Sequence, residues 1–354
     1  MISNSRLILE DGTVFFGKAF GYQSSIAGEV VFNTGMVGYP ETLTDPSYRG
    51  QILVMTYPLI GNYGIPKDHH DNGLSNVFES NQIQVSGLIV SDVASKHSHW
   101  SAEKSLHEWL MEHRIPGMYG VDTRRLTQYL RSRGSMLGKL VYEEEHVDFI
   151  DPNKENLVAQ VSRTKAEVYG DGDKTVIIID CGCKNNIIRS LLKRNLQVKV
   201  VPWNWNPQED ENFDGVVISN GPGDPRNCPE TVETIRQLFT LEKPIFGICL
   251  GNQLMALAAG AQTYKLKFGH RSQNQPCVRV KSHRCFITSQ NHGYAVDEKT
   301  LPEGWEPWFF NANDGTNEGI RHCSMPFMAV QFHPEAVPGP VDTDFLFDEF
   351  VDLL

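Results

Sequence analysis

Two stretches of this 354-residue chain bring together side chains that do covalent chemistry. Gly247-Ile248-Cys249-Leu250-Gly251 places a thiol where a short apolar run (Ile245 to Ile248) meets the helix-like Leu254-Met255-Ala256-Leu257-Ala258. Small residues on both sides let backbone and substrate approach closely. A following helix aims free N–H groups and its positive dipole end at the sulfur, which favours the thiolate. Near the C-terminus, the apolar run Phe327 to Phe332 ends in His333-Pro334-Glu335. A thiol, an imidazole and a carboxylate are the parts of a nucleophile, its base and the group that orients the base. Taken alone, a cysteine after an apolar strand is as readily a small buried hydrophobe, and His333 alone reads as a satisfied core histidine. It is their common placement that points to catalysis.

That placement follows from the elements around them. From Val176 onward, apolar strands alternate with helices: strands at 176–180, 197–201, 215–219 and 245–248, helices at 185–194 and 229–241. The alternation implies a parallel sheet covered by helices, whose active site lies beyond the carboxyl ends of the strands. Gly221-Pro222-Gly223-Asp224, Cys249 and His333 each directly follow a strand, so all three fall on one edge. The first of these has a proline that removes an N–H and no following lysine, so it reads as a turn presenting an amide rather than as a phosphate loop.

The preceding sequence has a different texture. Strands at 6–10, 13–16, 29–33, 51–57 and 85–90 are separated by turns, Asp11-Gly12 among them. A helix is expected over 101–113 with Ser101 as its cap, and a second over 122–133, capped by Asp122 or Thr123 and ended by Gly134. Residues 1–150 therefore read as a mixed α and β domain, 151–173 as a linker ending in Gly170-Asp171-Gly172-Asp173, and 174–354 as an α/β domain.

Composition narrows the function. A net charge of −11 without a basic block argues against nucleic-acid and anionic-membrane binding. No apolar stretch approaches the length of a membrane span. Seven scattered cysteines and no Asn-x-Ser/Thr acceptor point to a reducing compartment, the cytosol first and the mitochondrion second. Cys181-Gly182-Cys183 lacks the second half of a zinc site, and His69-His70 and His97-Ser98-His99, in polar loop-like sequence, read as solvated or capping histidines, so no metal is expected. Trp203 and Trp205 read as packing or interface residues, and His292 as structural or pocket-adjacent.

The two motifs together resemble the class I, triad-type glutamine amidotransferases. Gly28-Glu29-Val30-Val31-Phe32-Asn33-Thr34-Gly35, Thr44-Asp45-Pro46-Ser47-Tyr48, Gly61-Asn62-Tyr63-Gly64 and Gly120-Val121-Asp122-Thr123-Arg124 extend the resemblance to the amidotransferase subunit or region of carbamoyl-phosphate synthetase, across essentially the whole chain. The resemblance implies Cys249 as nucleophile, His333 as base and acid, and Glu335 as the group that holds the imidazole. Leu250 would supply an oxyanion-hole amide, with Gly221 a second. Ser47, Gly223, Gln253, Asn291, Gly293 and Tyr294 would bind L-glutamine, Ser47 from the other domain. The implied reaction is glutamine hydrolysis through a glutamyl thioester, with ammonia passed to a synthetase partner, in trans or fused, that alone uses ATP, bicarbonate and magnesium. No cofactor is expected in this chain, which has no Gly-x-x-x-x-Gly-Lys-Ser/Thr loop. The pathway served would be that of pyrimidines, of arginine and urea, or both.

One position departs from the pattern. Many glutamine-using relatives have histidine where this chain has Asn252; the ammonia-dependent branch has asparagine there but has lost the cysteine. The retained Cys249 favours an active enzyme, and a non-catalytic scaffold for the synthetase is the alternative. An amidotransferase serving a different synthase fits less well, because such enzymes lack the N-terminal companion domain.

Overall fold

The computed structural model describes residues 4–143, 145–209, 212–282 and 284–354, and the chain divides into two units, Met1–Lys154 and Glu155–Leu354. In the first, β1 (Asn4–Leu9), β2 (Val14–Gly21), β3 (Ile26–Asn33), β4 (Gln51–Met55), β5 (Gly87–Ile89), β6 (Pro116–Tyr119) and β7 (Met136–Tyr142) close into a barrel in the order β1-β7-β3-β4-β5-β6-β2. The Asp11-Gly12 turn joins β1 to β2, with Gly12 at φ +86°, a value that suits glycine. Among the described residues, helices α1 (Tyr39–Thr44), α2 (Leu106–Glu112) and α3 (Thr123–Arg133) accompany the barrel.

Helix α3 is capped as expected, by the Asp122 side chain accepting from the Arg125 N–H at 2.9 Å and by Gly134 at its end. Helix α2 is shorter than expected, because Ser105 and not Ser101 is its cap. The Ser105 hydroxyl accepts from the Glu108 N–H at 3.2 Å while the Glu108 carboxylate accepts from the Ser105 N–H at 2.8 Å. This reciprocal pair fixes the helix start, and 102–104 is drawn instead into a short strand against 65–66.

The second unit is built on one ten-stranded sheet. Its middle comprises β9 (Thr175–Asp180), β10 (Gln197–Pro202), β11 (Gly215–Ile218), β12 (Ile245–Ile248) and β17 (Phe327–Val330), parallel and in the order β10-β9-β11-β12-β17. Edge strand β8 (Glu167–Tyr169) pairs antiparallel with β10. This strand and a helical turn at Val158–Val161 occupy the stretch read from sequence as a linker. Beyond β17 the sheet turns antiparallel through β16 (Asn317–His322), β15 (Trp305–Asn311), β13 (Gln262–Arg279) and β14 (Cys285–Asp297). Helices α4 (Asn185–Leu192), α5 (Pro229–Phe239), α6 (Leu250–Ala259) and α7 (Phe345–Val351) pack on the parallel strands. Phe347 and Phe350 of α7, both fully buried, meet the Phe246 ring at 5.7 Å.

The carboxyl ends of the neighbouring strands β11, β12 and β17 therefore deliver the Gly221 loop, Cys249 and His333 to one edge. The turn between β12 and α6 is close-packed because its glycines have no Cβ. One on Gly251 would stand 2.1 Å from the Ile218 carbonyl oxygen, and one on Gly247 would stand 2.6 Å from the Met255 sulfur. The backbone obstacle at Gly251 cannot move without parting α6 from β11. Gly251→Ala is expected to cost about 3 kcal/mol, the upper part of the range for overpacked cores. For a unit of this size that lowers the melting temperature by about 6–12 °C, measurable by calorimetry; an unchanged melt would refute this account of the turn.

Candidate active site

Cys249 stands at the turn in a conformation that L-residues rarely adopt, φ 56° and ψ −103°. Such backbone is retained where the surroundings over-determine it. Here the Cys249 N–H donates to the Val330 carbonyl at 2.8 Å, tying the elbow to the strand that leads to His333. The Cys249 carbonyl accepts from the N–H groups of Asn252 and Gln253 at 3.1 and 3.4 Å, starting α6 immediately behind it. The thiol is buried, with Sγ 3.7 Å from the Asn291 carbonyl oxygen on β14.

The same strand holds the base. The His333 N–H donates to the Ser289 carbonyl at 2.9 Å, and Ser289 and His333 form an isolated bridge. Imidazole Nδ1 lies 2.6 Å from Glu335 Oε1. Lys184 Nζ, in the loop after β9, donates to that same oxygen at 2.9 Å and to the Ala336 carbonyl at 2.6 Å. Asn186 Nδ2 donates to the Glu335 backbone carbonyl. With Nδ1 taken by Glu335, Nε2 is the nitrogen left for proton exchange; it is buried without a nitrogen or oxygen partner among the described residues, and the Cys249 side chain interacts with the ring.

Burial pushes the His333 imidazolium down, but the Glu335 carboxylate, and after it the Cys249 charge, outweigh burial and carry the pKa to about 10. Burial likewise pushes Glu335 up, and the Lys184 ammonium with the His333 imidazolium outweighs it, holding the carboxyl at about 2. Such opposed shifts mark a pair kept ionised across the neutral range.

The expected substrate residues divide between the units. Gly221, Gly223, Leu250, Gln253, Asn291, Gly293 and Tyr294 belong to the second. A Cβ on Gly221 would meet the Cys181 carbonyl oxygen at 2.0 Å and the Leu250 side chain at 2.8 Å, so the Gly221 loop packs against the residue next to the nucleophile. Gln253 Nε2 donates to the Tyr294 carbonyl at 2.9 Å and to Gln331 Oε1 at 3.1 Å. Asn252 is buried on the same helix and donates through Nδ2 to Gln331 Oε1 at 3.3 Å, its Oδ1 without a partner among the described residues. Ser47 is buried in the first unit, in the turn Pro46–Tyr48, its N–H donating to Asp45 Oδ1 at 2.9 Å.

The other singled-out motifs resolve into ordinary structure. Cys181 and Cys183 are buried around a turn in which Asp180 Oδ1 accepts from the Gly182 and Cys183 N–H groups. Trp205 sits in the core with Trp203 against it, and His69, His70, His97 and His99 lie in irregular segments or short strand ends. Among the described residues, His270, His292 and Glu318 could hold a metal, their ligand atoms lying within 4.8 Å of one another. Protein partners already occupy their ring nitrogens. His270 Nε2 faces Asp314 at 2.8 Å and its Nδ1 faces Glu318 at 3.2 Å; His292 faces the Tyr294 carbonyl at 2.9 Å and Gln290 at 3.1 Å. Burial drives His292 well below the usual histidine range, so it is a neutral hydrogen-bonding ring behind Asn291 and Gly293. Sequence reasoning missed Lys184, although it too follows a strand of the parallel sheet.

Residues 177–353 match the family described as glutamine amidotransferase class-I, and residues 7–140 match the carbamoyl-phosphate synthase small chain, CPSase domain. The chain is 52% identical over 355 residues to the carbamoyl phosphate synthase arginine-specific small chain of Aspergillus fumigatus, covering 97% of this chain and 78% of that one. It is also 52% identical over 355 residues to the mitochondrial carbamoyl-phosphate synthase [ammonia] of Homo sapiens, covering 99% of this chain and 24% of that one. The multifunctional protein CAD of Squalus acanthias is 52% identical over 353 residues, 98% of this chain and 16% of that one. The chain thus spans a quarter or less of the length of those two relatives.

The ion pair makes a signed prediction. His333 is raised in the folded state, so its contribution to stability is complete below its unfolded value near 6.5 and is lost as pH rises toward 10. Glu335 is lowered, so its contribution is complete above about 4.5 and is lost as pH falls toward 2. In Glu335→Gln the carboxylate is gone while burial and Lys184 remain, so the His333 midpoint should fall to or below the ordinary 6.5. NMR titration of the ring reads this directly, and a midpoint that stays high would show that Glu335 is not what sustains the imidazolium.

Proposed function

Because the chain belongs to the carbamoyl-phosphate synthase small-chain family and carries its class I glutamine amidotransferase unit, we propose that it hydrolyses L-glutamine with Cys249, His333 and Glu335 and supplies ammonia to a synthetase. The observation that carries this reading is the edge on which a strained cysteine at a helix start stands beside a histidine held by a buried, lysine-paired carboxylate.

The steps follow from the charges. Cys249 as thiolate attacks the side-chain carbonyl carbon of glutamine, and the negative charge that develops on oxygen is taken by the backbone N–H groups of Leu250 and Gly221. Loss of one such donor typically costs about 10²–10³ in rate. His333, protonated through neutral pH, gives its Nε2 proton to the departing nitrogen, and ammonia leaves behind a glutamyl thioester. The neutral imidazole then takes a proton from water as the water oxygen attacks the thioester carbon. The C–S bond breaks, glutamate departs, and the thiolate–imidazolium pair is restored. Throughout, Glu335 holds Nδ1, and Lys184 keeps Glu335 ionised. Gln253, Asn291, Gly293, Tyr294 and Gly223 position the substrate in this unit.

The ammonia serves carbamoyl phosphate formation on a large synthetase chain or fused region, which supplies the ATP, bicarbonate and magnesium chemistry. The arginine-specific relative supports the arginine route, beside which the pyrimidine route stands as the second reading. All seven cysteines are free, which supports a reducing compartment such as the cytosol; no helix among the described residues is long and apolar enough to cross a membrane.

Cys249→Ala should reduce glutamine turnover by at least about 10³-fold, since covalent catalysis is lost and only binding and the oxyanion donors remain. Ammonia-dependent synthesis by a reconstituted complex should be unchanged. Glutamate release by the Cys249→Ala chain at the wild-type rate would refute the nucleophile; a wild-type chain that binds a synthetase but never turns over glutamine would identify a scaffold.

A further inference from the structure

The hairpin that passes the thiol carries a cation that the mechanism above leaves unused. Arg271 on β13 lies in register with Asn291 on β14 and is 5% exposed. Its Nη1 donates to the Phe268 carbonyl at 2.9 Å, while Nε is buried without an acceptor. No carboxylate pairs with it among the described residues. An arginine is always charged, and buried charges are almost invariably paired.

The backbone is shaped around this side chain. A Cβ on Gly269 would fall 2.4 Å from Nη1 and 2.4 Å from the His292 carbonyl oxygen; Gly269 has φ +70° and sits in the break of register between Lys265 and His270. On the facing strand, the only neighbour that a Cβ on Gly293 would meet is Arg271 Nη2, at 3.2 Å. The guanidinium edge thus lies against Gly293, two residues along β14 from the Asn291 carbonyl that the Cys249 sulfur touches. Two residues of strand span about 7 Å, comparable to the extended reach of a glutamyl group from a sulfur-bound side-chain carbon to its α-carboxylate. A planar carboxylate is also the partner that a guanidinium fork fits.

We propose that Arg271 binds the α-carboxylate of glutamine and so selects an α-amino acid over a simple amide. The proposal rests on the glutaminase reading and adds a specificity residue to it. The test uses the full chain with glutamine and with 4-aminobutanamide, which is glutamine without its α-carboxylate. Arg271→Met should raise the KM for glutamine about 10- to 100-fold, the loss expected for a hydrogen bond to a charged group, with kcat within a few-fold. It should leave kcat/KM for 4-aminobutanamide unchanged, and Arg271→Lys should recover part of the glutamine loss. Unchanged glutamine kinetics, or an equal loss with both amides, would overturn the proposal.

Calorimetric binding reads the same contact without turnover. A wild-type chain that binds glutamine but does not hydrolyse it contradicts the glutaminase reading alone, and the Arg271 comparison then proceeds on affinity. If neither binding nor turnover is found, both fail. Should the methionine variant not fold, the unaltered chain still decides: it must bind 4-aminobutanamide at least tenfold more weakly than glutamine, and Arg271→Lys must narrow that gap, or the assignment is wrong.

Discussion

The carboxylate of Glu335 is the constraint around which the second unit is arranged. It has no exposure to water and must nevertheless remain ionised, because only as a carboxylate can it hold a histidine positive next to a thiol. Burying one charge is prohibitive, and burying one pair is at best balanced. The structure answers with three charges: Lys184 and His333 share a single oxygen of Glu335 at 2.9 and 2.6 Å. The lysine arrives from the carboxyl end of β9, the histidine and glutamate from the end of β17, and the cysteine from the end of β12 between β11 and β17. Four parallel strands must therefore be correctly ordered before the charge on Glu335 is compensated, so the electrostatics of the site and the topology of the sheet are one condition.

What was readable beforehand tracks where apolar periodicity exists. Val176 to Asp180, Gly215 to Ile218 and Ile245 to Ile248 are buried on both faces and are nearly continuous apolar runs, so the parallel strands and the edge they share could be read directly. From that edge Cys249, His333 and the Gly221 turn followed. The start of α2 was displaced because Ser101 and Ser105 are equally good caps by type, and only the reciprocal contact with Glu108 distinguishes them.

The half of the site supplied by β13 and β14 was illegible to pattern reasoning, for a physical reason. The middle of this hairpin buries polar residues, His270, Arg271 and Ser272 on one strand and Thr288, Ser289, Gln290, Asn291 and His292 on the other, while Cys277, Phe286, Tyr294, Ala295 and Val296 are buried to either side. A polar interior reverses the usual correspondence between hydrophobicity and burial, and a break of register at Gly269 interrupts any alternation. Asn291, Gly293 and Tyr294 were nameable only by resemblance. Lys184 was passed over because a lysine after a strand is ordinarily a solvated one; its burial depends on a carboxylate 151 positions away.

The hydrogen bonds that hold the turn at residue 249 all belong to the backbone. The amide is fixed by Val330, the carbonyl by the first turn of α6, and the close approaches by the missing Cβ atoms of Gly247 and Gly251. The sulfur itself meets the Asn291 carbonyl oxygen at 3.7 Å and lies beside the His333 imidazole, and neither contact sets the turn. Architecture and reactivity at this position are consequently separable. A lineage can exchange the thiol for another small side chain and keep the elbow, the sheet order and whatever surface the unit presents to its neighbours. A fold of this design does not force its own catalytic residue to be conserved; only demand for the chemistry can.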